Sequence, residues 1–384
     1  MSWYDNIELD DRFILPKRIK YDCDYEKELL SILDDYVYKL NVIKVPKNVV
    51  DSVIRIKIRI VNSLKQYYKG NIPSALKSIA EILNRFQKRE VIISDLYESF
   101  GLNGFINYLL PENDNNNYNN NLNVEDKIFF YKARLSKKVE DYEATDMIHI
   151  PFNLREKVAS QRFSIPGLPC IYLGTSSYVC WLELDRPMRA NFNISAMEIS
   201  GEFKVLNLVS SWDLISRLSK IEDWNISLSK QKLISELLLM WPLVCATSFK
   251  VKYCDDRSFK SEYVISQLLM QVVASKEIDG ICYYSKRIND NYAYPHCINL
   301  ALPAKYNDEE SLSEDIQRRL KVRKPVNFEE YSLLKNNVKN SIIRGNIDVP
   351  YYDGIDAILA GLALNYSGTE FYEFDGYLRN IDNL

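Results

Sequence analysis

The sequence predicts an α+β protein, an all-helical N-terminal part followed by a domain built on a mixed, mostly antiparallel sheet. Three observations predict it. Roughly the first hundred residues keep apolar side chains at three- and four-residue spacings, the signature of helices with one buried face. An asparagine-rich stretch, PENDNNNYNNNLN (111–123), then breaks the pattern. Beyond it, short runs rich in β-branched and aromatic residues alternate with helical ones and are bounded by Pro, Gly, Asn and Asp.

The elements follow in order. YEKELLSILDDYVYKL (25–40) places Leu29, Leu33, Tyr36, Val37 and Leu40 on one stripe. NVVDSVIRIKIRIVNSLKQYY (48–68) contains RIKIRI, which also fits a strand, but the flanking apolar positions keep helical spacing and predict a helix. In GNIPSALKSIAEILNRF (70–86), Asn71 is the expected N-cap and Pro73 falls in the first turn, where a missing N–H costs little. The asparagine-rich stretch cannot bury enough apolar surface to offset ordering and reads as a linker. Strands are expected at 127–134, 145–151, 169–174, 194–199, 203–209, 279–285 and 297–303, and helices at 176–184, 229–241 and 261–275. The charged segment 308–325 opens a C-terminal extension with a solvated helix, and its RRLKVRK run (318–324) reads as an exposed helix face. The expected domains are therefore a helical one (1–110) with a regulatory or oligomerising role, a linker (111–124), a sheet domain (125–305) and an extension (306–384).

Composition narrows the function classes. The 384 residues carry 49 basic and 52 acidic side chains, a net charge of −3, which argues against a dedicated nucleic-acid binder. It leaves room for a local cationic pocket that takes an anionic small molecule. The seven cysteines form no C-x-x-C pair, so a zinc site or disulfide framework is not expected, and a reducing, cytoplasmic compartment is. The opening MSWYDNIELDDRF has early acids and does not read as a signal peptide, and no run approaches the roughly 20 apolar residues of a membrane span. Only two histidines occur, His149 and His296, both read as structural. A catalytic inventory must come from Arg, Glu, Tyr, Ser and Asp.

One constellation fits that inventory. Arg162 precedes a Pro-Gly-Leu-Pro turn, Tyr172 lies in the strand after it, and Glu183 on the next helix, inside the apolar VCWLEL. FFYKARL (129–135) ends an earlier strand with Lys132 and Arg134, and DGICYYS ends a later one with Ser285. Side chains at strand ends can converge on one cleft.

These residues carry a resemblance. MIHIPFNLREKVASQRFSIPGLPCIYLGTSSYVCWLEL (147–184), followed by DGICYYS and INLAL (298–302), resembles the core of the RES-domain family, named for its arginine, glutamate and serine. The likeness spans roughly 127–303. It implies an ADP-ribosyltransferase-like fold and an enzyme that degrades NAD by hydrolysis or phosphorolysis. It implies Arg162, Glu183 and Ser285 as catalytic residues, and Arg134, Tyr172 and Arg162 as NAD-binding ones. Where relatives read Tyr-Arg-Ala-Arg this chain has Tyr131-Lys132-Ala133-Arg134, so either Lys132 or Arg134 can serve as the early base. Ser266 is the rival for the serine role, mid-helix and second choice. The N-terminal helices resemble the HEPN-type modules attached to some RES proteins. The ribonuclease form of that module needs a histidine, and none occurs before His149.

The chemistry suits these residue types. Guanidinium groups bind a diphosphate through paired charge-assisted hydrogen bonds. Breaking the nicotinamide–ribose bond builds oxocarbenium character, which a carboxylate stabilises. A tyrosine can stack on the pyridinium. Nicotinamide leaves neutral, so no histidine acid is required.

The expected activity is that of a toxin-type or antiphage effector with NAD as substrate, inorganic phosphate as an optional co-substrate, and no bound cofactor or metal. Such an enzyme needs restraint, by an antitoxin or other regulatory protein, a homo-oligomeric switch or the N-terminal helices. ADP-ribosyl transfer to a macromolecule, or a non-catalytic interaction protein on the same core, are the alternatives.

Overall fold

The computed structural model describes residues 2–99, 128–136, 142–222, 224, 229–252, 257–288, 297–306, 311–337, 356–359 and 362–381. The expected linker at 111–124 and His296 lie outside them. In chain order the first elements are β1 (Lys17–Ile19), α1 (Tyr25–Val42), α2 (Lys47–Tyr68), α3 (Ile72–Phe86), β2 (Ile93–Asp95), β3 (Phe129–Leu135), β4 (Cys170–Gly174) and α4 (Ser177–Glu183). Then come β5 (Phe192–Ile199), β6 (Lys204–Leu208), α5 (Trp212–Lys220), α6 (Lys230–Ala246), β7 (Phe249–Val251), α7 (Val264–Ala274), β8 (Gly280–Tyr284) and β9 (Ile298–Pro303). The last are α8 (Glu314–Arg319), β10 (Leu320–Val322), β11 (Val326–Asn327), α9 (Phe328–Asn337), β12 (Asp356–Leu359), β13 (Leu362–Asn365) and α10 (Glu370–Asn380). The protein is α+β with mixed strand pairing, mainly antiparallel, as the sequence predicts; β6–β8 and β1–β7 are parallel.

Contacts divide the chain into two compact units. The first comprises Met1–Leu109, Ala159–Pro166 and Phe203–Asn291; the second comprises Leu110–Val158, Gly167–Glu202 and Tyr292–Leu384. Residues 203–291 thus cluster with the N-terminal helices, because α2 packs along α6 and α3 along α7. Residues 306–384 cluster with 167–202.

In the first unit, α6 is buried on nearly every side, as expected of a helix that is apolar all round. Val49, Val53, Ile56, Ile60 and Leu64 of α2 are buried at helical spacing, which resolves RIKIRI as helix. Asn71 caps α3 by accepting the Ser74 N–H at 3.3 Å. Pro242 sits inside α6 and has no N–H for the Leu238 carbonyl four residues earlier. The Tyr36 hydroxyl donates to that carbonyl at 2.9 Å, and its ring stacks on Trp241 at 4.2 Å. Strand β6 lies between β2, antiparallel, and β8, parallel.

In the second unit the strand order is β10–β5–β3–β4–β9, with β11 also on β5. Strand β5 is buried along its whole length. Two sequence expectations fail here. Residues 145–151 form no strand; Ala144–Met147 is a 3-10 turn. The His149 ring explains why, because it wires this segment to the 311–313 loop instead of a strand: Nδ1 bonds the Ile150 carbonyl at 2.8 Å and Nε2 accepts the Ser313 N–H at 2.9 Å. Nor is RRLKVRK a solvated helix face. The helix ends at Arg319, Leu320–Val322 is strand β10 against β5, and Arg323 is buried in an ion pair with Glu198 at 2.7 Å.

Candidate active site

Four of the six predicted site residues belong to the second unit: Lys132 and Arg134 on β3, Tyr172 on β4 and Glu183 at the end of α4. Arg162 and Ser285 belong to the first.

In the second unit, the strand period puts Lys132 and Arg134 on one face of β3. They stand opposite Ser195 and Asn193 of β5. Both are half-buried. Burial, then the neighbouring Arg134 charge, pulls the Lys132 ammonium down to about 8. Burial pushes the Cys170 thiol up to about 12, against the opposing pull of a Tyr172 hydrogen bond and the Lys132 charge. His149 belongs to the same cationic surroundings: burial lowers its pKa first, with Lys132 and Arg134 adding to the effect. Both its ring nitrogens are occupied by backbone, so it is a structural group.

Helix α4 starts with Ser176, whose hydroxyl accepts the Val179 N–H at 3.1 Å. The helix lies tight on β4 because residue 174 is glycine. A Cβ there would collide with Val179 and stand 3.0 Å from the Cys180 sulfur. Glu183, two turns on, is half-buried, and its Oε1 accepts the Asn299 Nδ2–H at 2.6 Å. Asn299 comes from β9 and is buried opposite Gly174. Helix α4, which ends in Glu183, lies against the strand that carries Lys132: the Cys180 thiol, raised by burial, donates to the Tyr131 carbonyl of β3 at 3.2 Å.

In the first unit, Arg162 answers why a base precedes the Pro166-Gly167 turn. Its Nη1 donates to the Thr247 and Glu262 carbonyls at 3.0 and 3.2 Å, and its Nη2 to the Phe249 carbonyl at 2.7 Å. The guanidinium also stacks over Tyr263 at 4.6 Å. It ties the end of α6, strand β7 and the start of α7 together. Ser285 is buried past the end of β8, and its Oγ accepts the Arg287 N–H at 3.1 Å. The Phe163 ring packs on Tyr283 at 4.5 Å. Ser266 is buried in the first turn of α7, not mid-helix, with no hydrogen-bond partner for its hydroxyl among the described residues.

Sequence reasoning missed Asn299. The available signal was a lone amide between Ile298 and Leu300 in a buried strand, where a polar group needs a partner. Among the described residues no cluster of His, Cys, Asp and Glu is placed to hold a metal, and no helix is long and apolar enough to cross a membrane.

No protein-family model matches the chain. A curated protein of Bacillus subtilis (strain 168), named "Putative toxin YopC", is 31% identical over 265 residues, which is 63% of this chain and 59% of that protein. The chain thus spans about three-fifths of that relative's length. A solved structure of the M. tuberculosis MbcT–MbcA toxin–antitoxin complex aligns over 55% of this chain and 90% of that one, at 13% identity and a TM-score of 0.29. A superposition that loose defines neither fold nor chemistry.

Proposed function

We propose that the protein is a toxin that consumes NAD by cleaving its nicotinamide–ribose bond. The observation that carries the reading is the setting of Glu183. Its carboxylate is held by Asn299 at 2.6 Å, at the end of a helix whose Cys180 thiol bonds β3, the strand that carries Lys132. The 31% identity to a curated protein named as a toxin supports the toxin part of the reading.

In this reading Lys132 and Arg134 take the diphosphate, and Tyr172 stacks on the nicotinamide ring. Glu183 faces the ribose and stabilises the positive charge as the C–N bond breaks. The bonding pair leaves with neutral nicotinamide. Water or inorganic phosphate then bonds the anomeric carbon, water losing a proton, to give ADP-ribose or its phosphate ester. Ser285 and Arg162 follow from the family resemblance, although three carbonyls already occupy the Arg162 guanidinium. A toxin of this kind calls for restraint in its own cell, and an antitoxin-type protein partner would supply it.

The test is product analysis by mass spectrometry of purified protein with labelled NAD, with and without phosphate. Free nicotinamide should appear, and Glu183→Gln should lower its release by roughly a thousandfold with folding intact. Label attached to a macromolecule would mean ADP-ribosyl transfer. NAD left unchanged under every condition, with the trigger or partner supplied by host-cell extract, would overturn the reading.

A further inference from the structure

The C-terminal helix α10 is the element the proposed chemistry leaves without a role. Its sequence, EFYEFDGYLRN, puts Phe371, Phe374 and Leu378 on one buried stripe, and Thr369 caps it by accepting the Tyr372 N–H at 3.2 Å. Phe371 packs on Tyr178 and Trp181 of α4, at 5.5 and 5.4 Å between ring centres. That contact covers the apolar side of the helix that ends in Glu183.

The polar contacts go further. Asp375 is buried, and its Oδ1 accepts the Ser177 N–H at 2.9 Å. That N–H opens α4 and has no partner within its own helix. Oδ2 accepts the Tyr366 hydroxyl at 2.6 Å. The Ser177 hydroxyl donates to the Phe371 carbonyl at 3.3 Å. On β3, the Tyr131 hydroxyl donates to the Asp375 carbonyl at 3.2 Å and accepts the Arg379 Nε–H at 2.6 Å. Tyr131 is the residue next to Lys132. Two turns of α10 therefore grip both the start of α4 and the strand that carries Lys132 and Arg134.

We propose that Asp375 is a positioning residue, through which α10 sets the spacing between the Glu183 helix and the basic strand β3. The proposal rests on the reading of this stretch as the NAD-cleaving site. A structural role alone fits poorly. The groups around the Asp375 carboxyl are Arg379 on its own helix, Tyr366 before it, Tyr131 on β3, Tyr331 on α9, and Ser177 and Cys180 on α4. Burial pushes that carboxyl up to about 6, even though Ser177, Tyr366 and Arg379 pull it down. The raised value means that folding favours the protonated form, so this group's contribution to stability falls as pH rises from about 4 to about 6. At neutral pH the charged group is held against a stability cost.

The experiment is Asp375→Asn in the full chain, read three ways at pH 7.5. Melting temperature should stay level or rise. The kcat for NAD should fall roughly ten- to a hundredfold with KM little changed, the pattern of a misplaced reacting group. Amide hydrogen exchange over 177–183 should accelerate about tenfold while β5 keeps its protection. Tyr366→Phe, which removes one bond and keeps the ring, should show the same pattern more weakly, and it serves if Asp375→Asn fails to fold. Unchanged exchange over 177–183 in both variants overturns the proposal, as does a wild-type kcat. If the parent protein leaves NAD intact, the function reading fails by itself, and exchange over 177–183 still decides whether α10 holds α4.

Discussion

Arg162 and Glu183 lie 21 positions apart in sequence, yet they sit in different units and in opposite circumstances. Arg162 is a tie. Three backbone carbonyls from three segments accept its protons, and a tyrosine ring covers it. Glu183 is held by a side chain. A buried amide from another strand holds one oxygen, at the end of a short helix whose own start is held by Asp375. A charge whose partners are backbone carbonyls stabilises the fold around it. In the proposed reading Glu183 acts on the ribose, while the Arg162 guanidinium is engaged by three backbone carbonyls.

Substitution at Arg162 gives the largest effect expected from this contrast. Arg162→Ala leaves three carbonyls without their charged donor and removes the cation–π contact. It should destabilise the first unit by about 3 kcal/mol. In a thermal melt that appears as a fall of roughly 5–10 °C. A variant that melts with the parent protein and loses only NAD consumption would reverse the comparison and make Arg162 a substrate residue.

Asn299→Ala comes next. It removes the Asn299 hydrogen bond and keeps the Glu183 carboxylate. Turnover of NAD should fall about tenfold, worth ~1.4 kcal/mol, with KM unchanged. If KM rises and kcat holds, Glu183 binds the ribose in the ground state and does no more.

The sheet and the helical start were legible because periodicity reports directly on burial. Strands β3, β4, β5, β6, β8 and β9 and helices α1, α2 and α3 fall where the apolar patterns place them. The misses have physical causes. TDMIHIP alternates like a strand, but a histidine ring bonded to a distant loop outweighs the pattern. RRLKVRK has helix-like charge, but Arg323 finds Glu198 across β5, a partnership no local window contains. Helix α10 carried readable signals: Thr369 as cap, Glu370 and Glu373 in its first turn, Arg379 in its last. At the candidate site, residue types and local placement were legible. The partners were not, because Asn299 and Asp375 lie 116 and 198 positions from the groups they hold.

The smallest effect bears on the cationic side of the comparison. If Lys132 takes the diphosphate, substrate affinity must follow its protonation. An ordinary lysine stays charged to beyond pH 9. Lys132, pulled down to about 8 by burial and by Arg134, loses its charge as pH rises through that value. The KM for NAD should therefore rise roughly three- to tenfold between pH 7 and 9, because the diphosphate stays fully anionic over that range. Lys132→Arg, charged throughout, should flatten the profile and leave turnover at pH 7 close to the parent value. A flat profile in the parent protein would take the diphosphate away from Lys132. Arg134, on the same face of β3, would then be the anion's holder, and Arg134→Ala should raise KM at every pH.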